Sequence, residues 1–410
     1  MKILISSLCP LIISGYSIQL NKIITQLHKY DNSIEIGVIC WDLLPSTSLL
    51  ESITMNELIK LTSDQLIGLF IFEPQKEIYK NVKFYLPGKC EGHWSKIHAF
   101  ALHFKPDKLL VYQDIFIFDT YDISSIKCKK YLWLPVHSSY LPHSLLKFKE
   151  NVNNECFTLK HLPYFDNIAT FSKFGVDVLK MYGYKSVFIN HMIDRHFFYN
   201  MNNKNETRLQ YRILATDFIC LMVARNGEAS DRKAYLTQLC AFEQFSRNKP
   251  NAKLLIHDNY QGVQPLVNIG ELVHKLNINH KIIRTDHTFR SNDNIRDLYQ
   301  LSDVLLCASK SEGFGLPMVE AQFCDLLVIT NNCTSMPDNT CYGICTEPAS
   351  ISHVIYNRNS WSEPSVGNIV VALNDVYNRD LSKYNIKPID KLLYDETELT
   401  KKWVSFLELN

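Results

Sequence analysis

Between residues 218 and 330 the sequence keeps returning to one pattern, in which an apolar run of strand length is followed by a segment of helical period. Strands are expected at 218–224, 253–257, 281–284, 303–307 and 326–330, with helices at 233–247, 263–276, 294–301 and 317–323. Strands spaced by helices have to return to the sheet as parallel neighbours, so this half is expected to be a doubly wound α/β layer. The first half reads the same way: strands at 2–6, 34–39, 68–72, 108–112, 131–135, 167–171 and 186–190, and helices at 17–28 and 93–104. Between the halves, residues 200–211 turn polar through Asn202, Asn203, Lys204, Asn205 and Glu206, and read as a linker. A last segment, 389–409, has helical period, with Leu392, Leu393, Leu399, Trp403 and Phe406 as its apolar positions.

A chain of 410 residues suits two domains better than one core. The boundary is expected near residue 190, giving domains 1–190 and 191–389, with a terminal helix over about 390–410 packing back on the first. Lys and Arg number 43 against 42 Asp and Glu, a balance that points away from a nucleic-acid partner. Twelve cysteines are scattered without a CxxC pair or a metal-ligand spacing; Cys341 and Cys345 lie four apart but make only half a pattern. Such usage fits a reducing compartment, so a cytoplasmic location is expected, no metal site, and no glycan on the sequons at Asn205 and Asn332. The apolar run 3–13 is broken by Cys9 and Pro10 and has no small-residue cleavage site after it. It reads as a first strand rather than a signal peptide. No other run approaches the roughly 20 apolar residues of a membrane span, although peripheral membrane contact stays open.

One segment carries chemistry. The strand at 303–307 leads through Ala308, Ser309, Lys310 and Ser311 into Glu312, Gly313, Phe314, Gly315, Leu316 and Pro317, where a helix starts. Pro317 suits the first helical position, and a helix N-terminus offers amides and partial positive charge to an anion such as a diphosphate. Gly313 and Gly315 let a ligand approach the backbone. Glu312 on the loop and Glu320 one turn into the helix are carboxylates suited to the paired hydroxyls of a sugar and a ribose.

The run SKSEGFGLPMVEA resembles the signature of the large retaining glycosyltransferases of the GT-B fold, the sucrose-synthase and mannosyltransferase-like group called glycosyltransferase family four. The resemblance extends upstream through NIRDLYQLSDVLLCASKSEGFG and DNIATFSKFGVDVLKMYGYKSVFINHMID to SGYSIQLNKIITQL near the N-terminus. It implies two Rossmann-like doubly wound domains facing across a cleft. It also implies metal-independent transfer, with retention, of a sugar from a nucleoside-diphosphate sugar to a hydroxyl acceptor, as in a growing glycan. No cofactor beyond that co-substrate is expected. By the same resemblance Glu312 binds donor-sugar hydroxyls, Glu320 the ribose, and the amides near Phe314, Gly315 and Leu316 the sugar and phosphate. Gly15 approaches the diphosphate from the other domain. Arg225 grips it together with Lys233 or Arg232, Lys233 being preferred, and His137 lies beside the reacting sugar. Asp114, at a strand end, is a further cleft residue, whereas His191 reads as structural.

The chain departs from the pattern at three places: Asp325 stands where glycine is common, Met192 replaces a hinge glycine, and Asp338 follows Pro337 where glutamate is usual. Three other readings compete. They are a sugar-nucleotide epimerase of the same fold, a non-catalytic scaffold, and a nicotinamide dehydrogenase, which the absence of GxGxxG in SLCPLIISGYS disfavours. The base (uracil, guanine or adenine), the sugar and the acceptor have no side-chain code. Residues 285–290 are expected at the base, and His93, Trp94 and Tyr140 near the acceptor.

Overall fold

The computed structural model describes residues 1–11, 14–40, 71–72, 77–85, 95–114, 123–138, 162–227, 231–258, 267–285, 292–354 and 359–409. The first half contains β1 (Lys2–Ser7), α1 (Gly15–Tyr30), β2 (Glu35–Cys40), β3 (Ile71–Phe72), β4 (Val82–Tyr85), α2 (Ser95–Phe104), β5 (Lys108–Tyr112), β6 (Lys129–Leu134), β7 (Asn167–Thr170), α3 (Lys173–Met181) and β8 (Val187–Phe188). Its sheet has the order β3-β4-β2-β1-β5-β6-β7-β8, parallel except where β3 meets β4. The second half contains α4 (Lys204–Gln210), β9 (Phe218–Ala224), α5 (Tyr235–Ser246), β10 (Ala252–Asp258), α6 (Ile269–Lys275), β11 (Ile282–Arg284), α7 (Asn292–Leu301), β12 (Val304–Cys307), α8 (Leu316–Phe323), β13 (Leu327–Asn331), α9 (Met336–Asn339) and β14 (Gly343–Thr346). It continues with β15 (Pro348–Val354), β16 (Asn359–Pro364), α10 (Val366–Asn378) and α11 (Glu396–Phe406). Its parallel sheet runs β11-β10-β9-β12-β13-β14, and β15 and β16 form a separate antiparallel pair.

Both sheets are covered on two faces, which is why strands such as β5, β12 and β13 are apolar and buried throughout rather than alternating. In each sheet the chain reverses its winding direction between two adjacent strands: β1 and β5 in the first, β9 and β12 in the second. Crevices outside the carboxyl ends of such strands are where doubly wound sheets take ligands.

Two expectations need correction. Residues Lys204–Gln210 are helical, not a linker, because Arg208 is buried and acts as an internal brace. Its guanidinium donates to the carbonyls of Leu301, Ala215 and Asp217 and to Asp303 at 2.7 to 3.0 Å, while Lys204 reaches Asp303 at 2.7 Å. In the last segment Leu392 and Leu393 are 60% and 51% exposed and lie in a 3-10 turn, so the helix proper begins only after Asp395, which caps it. That helix, α11, packs on α1: Lys22 and Gln26 hold Glu396 at 2.6 and 2.8 Å, and Trp403 meets Trp133 edge-on. Among the described residues no helix is long and apolar enough to cross a membrane.

The two halves share one packed joint. An aromatic chain runs from Tyr112 and Trp133 through Phe171 and His191 to Phe314 and Tyr394, with neighbouring ring centroids 4.3 to 6.3 Å apart. Gln19 of α1 clamps the connecting turn, its amide accepting from the Met192 N–H at 2.8 Å and donating to the Met192 carbonyl at 2.9 Å.

Candidate active site

The carboxyl end of β12 opens into the loop that carries Glu312. This residue is only 5% exposed, and a lone carboxylate at such a site would be costly. Two cations compensate: Lys233 Nζ lies 2.6 Å from Oε1 and an Arg232 guanidinium nitrogen 3.1 Å from Oε2. Burial alone would raise the Glu312 pKa, but the charges of Lys233 and Arg232 outweigh it and bring the group down to about 2. Arg232 also donates to the Ser311 carbonyl at 2.6 Å, so both cations are fixed by the loop they neutralise. Helix α5 starts at Tyr235, after Ala234 in a left-handed conformation, which places Lys233 in the turn rather than inside the helix as its sequence suggested.

The loop ends at Gly315, whose φ of +88° no β-carbon would adopt comfortably, and α8 begins at Leu316 with Pro317 second rather than first. Pro317 has no N–H, and the Met318 N–H turns back to the Gly315 carbonyl at 3.1 Å. The amides of Gly315 and Leu316 take no partner among the described residues and are the ones an anion would meet. The first half closes tightly on this loop. A β-carbon on Gly313 would stand 2.9 Å from that of Pro135, and one on Gly15 would stand 3.1 Å from Leu316. The Ser311 hydroxyl donates to the His137 carbonyl, which fixes the half-buried His137 beside Glu312.

Glu320 projects from α8 and accepts a hydrogen bond from the Tyr299 hydroxyl at 2.9 Å. Burial is the dominant influence and raises its pKa to about 7, against the smaller opposing effects of Tyr299 and Lys22. On the facing wall the Tyr16 hydroxyl bonds the Asp114 carboxylate, near enough to Arg232 to feel its charge across the cleft.

Residues 203–343 match the family model described as Glycosyl transferases group 1. That stretch of the chain is similar to the group 1 glycosyl transferases. The whole chain also has the GT-B architecture. HepE from Anabaena, solved in complex with UDP and glucose, superposes over 100% of this chain and 99% of its own with a TM-score of 0.67 at 14% identity. Sucrose-phosphate synthase from Thermosynechococcus elongatus covers 99% of this chain and 94% of its own, with a TM-score of 0.65 at 12% identity. A glycosyltransferase from Rickettsia africae covers 100% and 98%, with a TM-score of 0.64 at 16% identity. No curated protein sequence matches the chain.

The structure brings Gly15 against Leu316, Gly313 against Pro135, Ser311 against His137 and Lys233 against Glu312, with Asp114 held by Tyr16 beside Gly15. Phe314 does not join them through its ring, which is buried against His191 and Tyr394, so only its backbone belongs to the loop. Arg225, one residue past β9, is exposed and forms no ion pair with a described residue. His191 is buried among Trp133, Phe171 and Phe314, and burial lowers its pKa to about 3, as befits a packing residue.

The three departures resolve locally. Asp325 takes a left-handed φ of +57°, the conformation glycine would supply. Met192 is buried with its backbone held by Gln19. Asp338 accepts from the Phe174 N–H at 3.0 Å, capping the start of α3 across the joint. Sequence reading missed Tyr16, Gln19 and Arg232 as a partner of Glu312; only the adjacency of Tyr16 to Gly15 signalled any of them. His93, Trp94, Tyr140 and residues 286–290 lie outside the described residues.

Proposed function

We propose that the chain transfers a sugar, with retention of anomeric configuration and without a metal, from a nucleoside-diphosphate sugar to a hydroxyl acceptor such as a growing glycan. Residues 191–389 hold the donor, residues 1–190 hold the acceptor, and the enzyme works in the cytoplasm. The observation that carries the reading is Glu312, kept ionised between Lys233 and Arg232 at the winding reversal of the second sheet, on a loop whose Ser311 hydroxyl donates to the His137 carbonyl. A carboxylate keeps lone pairs after accepting two cation contacts, so Glu312 can still receive donor-sugar hydroxyls. Lys233, Arg225 and the α8 amides meet the leaving diphosphate, whose charge grows as the glycosidic bond breaks. Gly15 leaves room for that diphosphate, Glu320 takes the ribose diol, and His137 steadies the sugar. Retention follows when the leaving phosphate itself takes the acceptor proton on the face it vacates.

The test is a thermal-shift series with UDP, GDP, ADP and their sugars, followed by NMR of the product's anomeric proton in the presence of EDTA. One nucleotide should raise the melting temperature, since a ligand at a hundred times its Kd adds about 2.7 kcal/mol. Stabilisation by none of them would sink the proposal, and release of an epimerised donor without acceptor would establish an epimerase instead.

A further inference from the structure

Parallel neighbours end side by side, and the register that pairs Cys307 with Thr330 brings the turn after β13 against the Glu312 loop after β12. Two hydroxyls of that turn hold the loop's backbone. The Glu312 N–H donates to Thr334 Oγ1 at 3.0 Å, and Ser335 Oγ donates to the Glu312 carbonyl at 2.8 Å. A peptide unit is planar, so these two bonds fix the planes on either side of the Glu312 Cα and, with them, the direction in which its side chain leaves the backbone. Ser335 is fully buried and also reaches the Phe314 carbonyl at 3.3 Å, which Asn339 meets at 3.0 Å. With Arg232 on the Ser311 carbonyl and the Met318 N–H on that of Gly315, the carbonyls of Ser311, Glu312, Phe314 and Gly315 all have donors inside the protein.

Thr334 holds its place against its own backbone preference. Its φ is +52°, and among the described residues it is the only β-branched one in the left-handed region. A branched β-carbon is strained there, whereas glycine takes the same conformation freely. What threonine has and glycine lacks is the oxygen that accepts the Glu312 N–H. Strain of this kind gathers at functional sites, where the group that causes it supplies atoms a relaxed residue lacks. We propose that Thr334 and Ser335 are positioning residues for sugar transfer: they set the Glu312 backbone so that its carboxylate, between Lys233 and Arg232, meets the donor sugar. Each acts through Glu312 rather than on the substrate. A reacting group misplaced by about 1 Å can lose on the order of a hundredfold in rate, which is the scale on which such a clamp matters. This rests on the transferase reading above, and it adds two residues and the reason one of them is strained.

Isothermal titration of the full chain tests it, with the nucleotide that stabilises the wild type and with the glucose, galactose and mannose conjugates of that nucleotide. Thr334→Gly relieves the strain and removes the oxygen. Its melting temperature should stay within about 4 °C of wild type, since the relief and the lost hydrogen bond oppose each other. The conjugate that the wild type binds best should bind the variant at least roughly tenfold more weakly, the worth of one hydrogen bond, while the bare nucleotide changes by less than about threefold. Thr334→Ser keeps the oxygen and should restore the affinity for the conjugate. If Thr334→Gly fails to fold, Ser335→Ala is measured against the same two ligands with the same expectation. Unchanged conjugate binding overturns the proposal and leaves the transferase reading intact, and so does an equal loss for bare nucleotide and conjugate, the mark of a loosened fold. Failure of Thr334→Ser to restore binding overturns it as well, because the hydroxyl is then not the cause. Absence of nucleotide binding by the wild type removes both readings together.

Discussion

Glu320 is the residue whose replacement separates stability from function most sharply. In the unfolded chain its carboxyl titrates near the ordinary 4.5, while in the folded protein burial holds the proton until about 7. Below pH 4.5 both states are protonated and the residue is neutral to stability. Between 4.5 and 7 the unfolded state loses its proton first, so folding becomes less favourable as pH rises, and above 7 the penalty is complete. At about 1.4 kcal/mol per pH unit, the full penalty is about 3 kcal/mol. Glu320→Gln removes the ionisation and keeps an oxygen for the Tyr299 hydroxyl, which donates at 2.9 Å. The variant should therefore match wild type at pH 4.5 and melt roughly 6–12 °C higher at pH 8, at about 2–4 °C per kcal/mol. The same variant should lose much of the nucleotide-induced shift, because an amide accepts a ribose diol less strongly than a carboxylate. Calorimetric melts of both proteins from pH 4.5 to 8.5, with and without nucleotide, decide the matter. An offset independent of pH, or a variant that melts lower at pH 8, would refute the reasoning.

Glu312→Gln should act in the opposite sense. Its carboxyl is held at about 2, so it contributes about 3 kcal/mol that is complete above pH 4.5 and fades as pH falls toward 2; urea unfolding should show a deficit at pH 7 that is roughly halved by pH 3, and an undiminished deficit there contradicts the ion-pair account. His191 is neutral in the fold, with a pKa near 3 against an ordinary 6.5, so wild-type stability is full above 6.5 and falls as pH drops below it. His191→Phe should flatten that decline between pH 6.5 and 4, and an equally steep decline would show that other groups govern it. Asp325→Gly relieves a left-handed φ of +57° and should raise the unfolding free energy from urea titration by about 0.5–1 kcal/mol; a lower value would mean that the Asn200 contact to Asp325 outweighs the relief.

Most of the two sheets was legible because parallel strands buried on both faces are nearly uniform apolar runs, as at 108–112. The helix at Lys204–Gln210 was not, since its anchor is a buried arginine whose carbonyl partners are remote in sequence. The strand at Val82–Tyr85 and the β15–β16 pair were missed for a related reason: short strands gain their identity from neighbours, and Ile351 on the pair is exposed. In the site, the loop from Glu312 to Leu316 was legible because a glycine pair before a proline leaves few backbone routes. Lys233 and Arg232 were expected at the diphosphate, and their pairing with Glu312 was not legible, for it depends on how the turn before α5 folds. Gln19 and Asp338 act across the joint between the halves, and no local pattern encodes a partner more than a hundred residues away.

The joint itself has an asymmetry with an evolutionary reading. Gln19 grips the backbone of Met192, Asp338 the Phe174 amide and Ser311 the His137 carbonyl. In each case one partner is a main-chain atom, which every residue except proline at the amide supplies. Half of every such contact is therefore immune to substitution. A lineage can exchange Met192 for glycine or His137 for another side chain and keep the two halves in register, so sequence drifts far while the cleft stays the same width.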